Sequence, residues 1–202
     1  MVRQISTQID PARHENACFV LRISLDHMKP PIWRRIVVPS SITLDLLHDA
    51  LNVAMGWEDH HLHQFEIGGR RFAEAPEEPE QGEDESGIVL GSLVFEERSK
   101  FTYLYDFGDG WQHTVLIEQV DAIPPGRRVD LTCLGGRRRC PPEDVGGPPG
   151  YEEYLHAISD RKHPEHKHML EWHGPFDAEA FDADVVNRDL ARLARWSRPR
   201  KR

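Results

Sequence analysis

The sequence predicts an α+β domain in which helices pack on one face of a largely antiparallel sheet of hairpins, with a helical C-terminal third. Three observations carry this prediction. Apolar residues alternate with more polar ones over residues 18–38, which is the period of a half-buried strand. Short Gly-bearing turns divide residues 61–72 and 101–118 into hairpins. From Tyr151 onward apolar residues recur at helical spacing, so strands come first and helices later.

The domain organisation follows from composition. At 202 residues and 39% hydrophobic, the chain is long enough for one sizeable core. We expect a flexible leader at residues 1–17, a single α+β domain at 18–196 and a basic tail at 197–202. Within the domain, the acidic residues 74–87 predict a solvated surface loop, because they lack apolar side chains to bury. The Pro- and Gly-rich residues 133–150 predict a rigid, irregular loop held by fixed proline dihedrals and glycine turns.

The first elements of the domain are predicted as follows. Residues 18–25 and 32–38 form an antiparallel pair of strands, and Pro30 and Pro31 break the ladder between them. A helix follows, and Gly56 stands where a left-handed terminating residue belongs. Its apolar face comprises Leu44, Leu47, Leu51, Ala54 and Met55.

Three further segments complete the chain. Gly68 and Gly69 mark the turn of the first hairpin. Residues 88–95 carry a short apolar element of undetermined type. The final third contains three amphipathic helical stretches, and their apolar faces include Tyr151, Met169 and Val185.

The central hairpin, FTYLYDFGDGWQHTVLIE at residues 101–118, organises the domain. A three-residue loop at 108–110 places Phe107 opposite Trp111, on an aromatic face that belongs to the core. On the other face the same register extends the pairing to Lys100 opposite Glu118.

Strand parity in this hairpin bears on chemistry. It directs Asp106 and His113 to opposite faces, so a metal site that used both would need a bulge. Asp109, at the tip, stays free to join either side.

Candidate site residues gather near this hairpin. His61 and His63 stand two residues apart on one strand face, a spacing that can present two imidazoles to a divalent metal. Such a site would still need a carboxylate or a third histidine, and the available donors are Asp109, His113, Glu143 and Asp144. We take His61, His63, Asp109 and His113 as the candidate metal ligands, and Asp109, His113, Glu143 and Asp144 as the candidate catalytic residues. The alternative is that the histidines are ordinary hydrogen-bonded side chains and the aspartates tie turns.

Cysteine usage and motifs narrow the function classes. The three cysteines predict reduced thiols, and a structural zinc at Cys133 and Cys140 would need two histidines as partners. No phosphate-binding GxxxxGK[ST] loop, GxGxxG, GxSxG or HExxH motif occurs, which disfavours the enzyme classes built on those motifs.

Charge and hydropathy indicate the compartment and the partners. No apolar run approaches the roughly 18 residues that a membrane helix needs, and the amino terminus lacks the layout of a secretory signal. We therefore expect a soluble cytoplasmic protein that does not enter a membrane. The net charge of −9 argues against a wholesale nucleic-acid surface. The basic tail, with Arg198, Arg200, Lys201 and Arg202, is a candidate contact for nucleic acid or an acidic partner.

The blocks IWRRIVVP, LHDALNVAMGWEDHHLHQFEIGG, YLYDFGDGWQHTVLIE and CPPEDVGGPPGYEEYL resemble the Ri-plasmid open-reading-frame-three family. Members of that family are also met as passenger proteins of bacterial insertion elements and are sometimes labelled resolvase-like. The resemblance covers residues 18–190. It implies an α+β domain associated with mobile elements, with no agreed catalytic residues to carry over. The resolvase label gains little from the residues, because neither an activated serine among arginines nor a helix-turn-helix reader occurs.

Three functions follow as hypotheses. The leading one is a non-enzymatic accessory or binding protein that contacts a protein or nucleic-acid partner through the rim made by the hairpin tip and the CPPEDVGG loop. The second is a metal-dependent hydrolase acting on a phosphate or nucleic-acid substrate. The third is a nucleic-acid-binding accessory protein that uses the basic tail.

Overall fold

A computed structural model describes residues 16–94 and 96–196 of the chain. The strands are β1 (Ala17–Leu25), β2 (Ile32–Pro39), β3 (His63–Ile67), β4 (Arg70–Ala73), β5 (Glu83–Asp84), β6 (Lys100–Tyr105), β7 (Trp111–Ala122) and β8 (Thr132–Arg137). The helices are α1 (Leu44–Met55), α2 (Leu90–Leu93), α3 (Gly147–Ser159), α4 (His166–His173) and α5 (Ala183–Trp196), with a 3-10 turn at Pro79–Gln81.

The strands form one eight-stranded sheet in the order β5-β4-β3-β6-β7-β1-β2-β8. Neighbouring strands pair antiparallel except β4 with β5, which are parallel. In β2 the alternate residues are fully buried, while the residues between them, Trp33 and Arg35 among these, are partly exposed. The buried face joins one core with α1, α3 and α5. The predicted α+β class, with a largely antiparallel sheet and a helical C-terminal third, is confirmed.

Several local predictions match the structure. The antiparallel pairing of β1 with β2 runs from Cys18 opposite Pro39 to Leu25 opposite Ile32. Helix α1 buries the predicted apolar face, and Gly56 ends it in the left-handed conformation at φ 99°. The undetermined apolar element at 88–95 contains the single-turn helix α2.

The register of the central hairpin differs from the prediction. Tyr105 lies opposite Trp111, and Lys100 lies opposite Leu116 and not Glu118. The connection therefore spans the five residues 106–110, and Phe107 is 53% exposed. A slip of two residues preserves the side-chain faces of the strands, so Phe101, Tyr103 and Tyr105 lie in the core. The prediction that Phe107 belongs to that core face is wrong, because this residue falls in the loop.

The prediction of a solvated loop at residues 74–87 is wrong in its final part. The segment contains the 3-10 turn and β5. Glu85 is only 2% exposed, and its carboxylate accepts hydrogen bonds from His63. A charged side chain is buried only when it is paired. Glu85 can therefore leave the solvent because His63 of β3 pairs with it.

The segment 133–150 is also more regular than predicted. Its first residues form the edge strand β8, and α3 begins at Gly147 with two prolines in its first turn. Asn187 of α5 donates to the carbonyl oxygen of Cys133 and accepts from its amide, at 3.0 and 2.7 Å. These bonds satisfy part of an otherwise open sheet edge.

The predicted leader and basic tail lie almost wholly outside the described residues. Strand β1 begins at Ala17, one residue inside the predicted leader, and residues 1–15 lie outside the described chain. The basic tail at 197–202 also lies outside it, so its predicted contacts stay predictions. Among the described residues, no helix has the length and apolar character needed to cross a membrane.

Candidate functional site

The hydroxyl of Tyr105 joins three segments at the end of the sheet. It donates to Glu143 Oε1 at 3.0 Å and accepts from the amide of His60 at 3.1 Å. The amide of Glu58 donates to the same Glu143 oxygen at 2.8 Å. Burial, and then the charge of Glu143, raise the pKa of the Tyr105 hydroxyl, so it stays a donor. The segments 57–62 and 139–144 are thereby fixed against the loop end of the hairpin.

The hairpin loop begins with Asp106, which adopts the left-handed conformation at φ 56°. Its Oδ1 accepts from the amide of Gly108 at 2.8 Å, and its carbonyl accepts from Gly110 at 2.7 Å. Its own amide donates to the carbonyl of Leu62 at 2.9 Å. The turn therefore uses one carboxylate oxygen of Asp106 and places the other beside the residue that precedes Leu62, which is His61.

The hairpin tip is tied to the start of α3. Asp109 Oδ2 accepts a hydrogen bond from the amide of Gly146 at 3.0 Å. A Cβ atom on Gly147 would lie 2.3 Å from the carbonyl oxygen of Asp109, and the φ of Gly147 is +68°. Only glycine fits that approach. The carboxylate of Asp109 therefore closes a junction between two loops.

Three carboxylates surround one imidazole nitrogen at this junction. His61 Nε2 lies 3.3 Å from Asp144 Oδ1, 3.5 Å from Glu143 Oε2 and 3.7 Å from Asp106 Oδ2. We call these four residues the tip site. Within it, donor atoms of His61, Asp106 and Asp144 all lie within 4.8 Å of one another.

Burial makes this arrangement unusual. His61 Nε2 and Glu143 Oε2 are both shielded from solvent, and neither has a hydrogen-bond partner. Buried polar atoms are nearly always bonded, so such a pair calls for an explanation. The Asp144 side chain is 74% exposed, whereas those of Asp106 and Glu143 are 9% and 12% exposed. The tip site is therefore closed on the protein side and open beside Asp144.

His63, predicted to join His61, lies elsewhere. Its Nε2 is 2.9 Å from both carboxylate oxygens of Glu85, and its ring stacks on that of His48 at 3.5 Å. His48 in turn contacts Asp59 Oδ1 and the Tyr103 hydroxyl, each at 2.8 Å. Burial, and then the proximity of His63, lower the pKa of His48 to about 4. This is a satisfied polar network inside the core.

His113, predicted as both ligand and catalytic residue, is fully buried in the core. Its Nδ1 donates to the carbonyl of Tyr103 at 3.2 Å, and its Nε2 accepts from Trp57 Nε1 at 3.5 Å. Burial lowers the pKa of His113 to about 4. Both ring nitrogens are engaged, so the residue serves packing.

The predicted ligand set does not assemble as a whole. Among the described residues, none of the clusters with metal-binding spacing includes His63, Asp109 or His113. The structure instead brings His61 together with the predicted catalytic candidates Glu143 and Asp144. Asp106 is the site residue that sequence reasoning missed as a ligand. Its pairing with His61 depends on the left-handed turn, which strand parity alone does not foresee.

Two other clusters with metal-binding spacing are less suitable. At Glu153, His156 and His163, the Nδ1 of His163 accepts from the amide of Glu165 at 3.2 Å. The proton of a neutral imidazole then sits on Nε2, which faces Glu153 at 3.2 Å and is not free for a metal.

The second of these clusters contains His48, whose ring nitrogens are already hydrogen-bonded within the core network. Neither Cys133 nor Cys140 belongs to any such cluster in the described chain. Both thiols are buried and free.

Comparisons with known proteins give a consistent family. The model of the plasmid pRiA4b ORF-3-like protein family matches residues 17–185. The uncharacterized protein y4hQ of Sinorhizobium fredii (strain NBRC 101917 / NGR234) is 40% identical over 187 residues, which is 90% of this chain and 95% of that protein. The crystal structure of the protein of unknown function MM3350 from Methanosarcina mazei Go1 superposes with a TM-score of 0.75 at 35% identity, covering 84% of this chain and 97% of that one. No reaction is named for these relatives.

Proposed function

We propose that this chain, which belongs to the plasmid pRiA4b ORF-3-like family, binds a divalent cation at the tip site. The observation that carries the proposal is the buried, unbonded pair of His61 Nε2 and Glu143 Oε2, with two further carboxylates beside it. A cation among the four side chains would satisfy both buried atoms and offset the mutual repulsion of three carboxylates.

The distances favour a cation over a simple ion pair. In the two pairs that contain a buried histidine, the nitrogen approaches the carboxylate oxygen at 2.8 Å in His48–Asp59 and 2.9 Å in His63–Glu85. At His61 the three oxygens stay at 3.3–3.7 Å, and none forms a hydrogen bond with Nε2. Ligands about 2.1 Å from one ion lie about 3.0 to 3.4 Å apart in octahedral or tetrahedral geometry. The distances from His61 Nε2 are therefore near that spacing, and His61, Asp106 and Asp144 also have donor atoms within 4.8 Å of one another, while Glu143 lies beside this set of three.

One imidazole and three carboxylates form a donor set that suits Mn²⁺, Fe²⁺ or Zn²⁺. The metal-dependent hydrolase predicted from the sequence would need such an ion. It is equally compatible with an accessory protein in which the ion holds together the hairpin tip and the CPPEDVGG loop. The association with mobile elements stays a prediction, as does the location in the cytoplasm.

The test is metal stoichiometry. Protein purified without a histidine tag, stripped with a chelator and titrated with Mn²⁺ or Zn²⁺ should bind one ion per chain by calorimetry and elemental analysis. Glu143→Gln and His61→Ala should each weaken binding at least tenfold. The Gln variant keeps an oxygen for the Tyr105 hydroxyl, so loss of folding would not explain its effect.

His163→Ala is the matched control, because it removes a histidine from the other surface cluster. Its affinity should equal that of the wild type. Absence of a stoichiometric ion, or loss of the ion in His163→Ala with retention in His61→Ala, would contradict the proposal. Bound cation should also raise the midpoint of thermal unfolding, since a ligand at 100 times its Kd adds about 2.7 kcal/mol to stability.

A further inference from the structure

A cleft of about 760 Å³ lies between the end of α1, the segment 139–144, α4 and the start of α5, and Glu143 and Asp144 of the tip site line it. We propose that this cleft binds a phosphate monoester with an aromatic body. Its phosphoryl oxygens would complete the coordination of the cation and pair with Arg139. This inference rests on the proposed cation site and adds to it a class of ligand.

The cation would have coordination positions to offer. The tip site supplies donors from His61, Asp106 and Asp144, with Glu143 beside them, while oxygen-rich sites for divalent ions commonly take six ligands. His61 and Asp106 do not line the cleft, whereas Glu143 and Asp144 do. The open positions would therefore lie on the side of Glu143 and Asp144, where a ligand in the cleft can reach them.

Arg139 is the cationic side chain of the cleft that the fold leaves unused. Arg34, which also lines the cleft, is buried and donates to the carbonyls of Trp33, Ala54, Met55 and Arg137. Arg139 is exposed and its guanidinium lies over the ring of Phe176, with 4.9 Å to the centroid. Among the described residues, Arg139 takes part in none of the ion pairs, whereas its neighbour Arg138 pairs with Glu179. A stacked guanidinium with free donors is a common phosphate clamp.

His173 lies in the same cleft, near the positive charge of Arg139. Burial first, and then the positive charge of Arg139, lower the pKa of His173, which also lines the cleft. His173 Nδ1 lies 3.4 Å from the Tyr154 hydroxyl. The ring is thus held at one nitrogen, and its other nitrogen remains for a ligand.

The acidic side chains at the far end of the cleft are already engaged. Asp182 accepts from the amides of Asp184 and Val185 at the start of α5, and Asp189 pairs with Arg192 at 2.6 Å. A divalent ion would offset two of the three carboxylate charges of the tip site, and Glu58 adds a further carboxylate to the lining of the cleft. A phosphoryl group would therefore be held by direct bonds to the ion and by the guanidinium of Arg139, and not by a net positive charge of the cleft.

An aromatic wall faces the remaining space. Trp172 is 45% exposed and lines the cleft, and it packs edge-on against the buried Tyr154 at 5.8 Å. A large exposed aromatic ring held against the core is suited to stacking on a planar ligand group. Phe176, beneath Arg139, continues this wall.

The test uses the full chain loaded with Mn²⁺, and the probes are phenyl phosphate and inorganic phosphate, measured by calorimetry. Phenyl phosphate should bind at least tenfold more tightly to loaded than to stripped protein. Arg139→Gln should lose at least tenfold in affinity with Mn²⁺ stoichiometry unchanged. Trp172→Ala should lower the affinity for phenyl phosphate towards that for inorganic phosphate. The exposed Arg128→Gln serves as the charge-matched control and should behave as wild type.

The outcomes separate the two proposals. If Mn²⁺ binds but phenyl phosphate does not, or if Arg139→Gln binds it as well as Arg128→Gln does, this inference is wrong while the cation site stands. If phenyl phosphate binds equally without Mn²⁺, the bridging role is wrong. If Mn²⁺ itself does not bind, both proposals fail.

Discussion

The ion pair between His63 and Glu85 makes a sharp prediction about stability. Both side chains are almost fully buried, at 2% and 3% exposure, and Glu85 sits in a segment whose sequence suggests a solvated loop. We expect His63→Leu to lower the free energy of unfolding strongly, because it leaves the Glu85 carboxylate in the core without a partner. Leucine roughly preserves the volume of the imidazole, so the cavity contribution stays small.

The magnitude follows from what each variant leaves behind. Removing one partner of a buried ion pair typically costs about 3–5 kcal/mol, because the other charge remains. Glu85→Leu removes the buried carboxylate itself and leaves one polar ring nitrogen without its partner, so its cost should be nearer that of an unsatisfied polar group, about 1–3 kcal/mol. In a chain of this size, a loss of 3–5 kcal/mol corresponds to roughly 10 °C in Tm.

The double variant distinguishes charge burial from simple loss of packing. Replacing a whole buried pair with apolar residues is often neutral, so His63→Leu combined with Glu85→Leu should be more stable than His63→Leu alone. Urea unfolding at pH 7 with linear extrapolation measures all three free energies. Glu83→Ala, which removes the exposed partner of Arg70, is the control and should leave the unfolding midpoint unchanged. A double variant as unstable as the sum of the single ones would refute the reasoning.

Three further predictions concern the loops and the core. Gly147→Ala should push the hairpin tip away, because its Cβ would overlap the Asp109 carbonyl; calorimetry should record weaker cation binding, and unchanged affinity would contradict the tie between the loops. Burial lowers the pKa of His113 to about 4, against an ordinary 6.5. Between these pH values the unfolded chain binds one more proton at this residue than the folded chain does. The free energy of unfolding should therefore fall as the pH drops from 6.5 towards 4, by up to about 1.4 kcal/mol per pH unit. His113→Gln should flatten that slope in urea unfolding at pH 7 and pH 5, and an unaltered slope would assign the effect elsewhere. Burial raises the pKa of Cys140 to about 12, so a thiol reagent should label it only after unfolding, and rapid labelling of folded protein would contradict its placement.

Local sequence patterns were sufficient for much of the fold. Helix α1 is set by its apolar face and by Gly56 at its end, and the β1–β2 pairing follows from two runs of alternating residues. These features depend on neighbours within a few residues, so periodicity and turn chemistry determine them. The central hairpin shows the limit, because its faces follow from parity while its register depends on the turn that Asp106 forms.

The candidate site was predicted in part. His61, Glu143 and Asp144 were recognised as candidates, and the two acids were among the donors considered for His61. The other expected partners, His63, Asp109 and His113, do not join that site. Alternation along a strand cannot reveal which buried histidine finds a carboxylate from a distant loop. His63 contacts Glu85, which lies 22 residues later in the sequence, and His61 lies beside Glu143, which is 82 residues later.

The sequence by itself determined the class of fold, the core-facing residues of the hairpin strands and the side-chain types able to hold a cation. The tertiary structure decided which of them meet. Asp106 turns towards His61 because a left-handed backbone lifts it out of the strand ladder. Glu143 lies beside His61 because the Tyr105 hydroxyl and the Glu58 amide bind one of its carboxylate oxygens and leave the other facing the imidazole. Contacts of this kind join loops far apart in the chain, and no local periodicity encodes them.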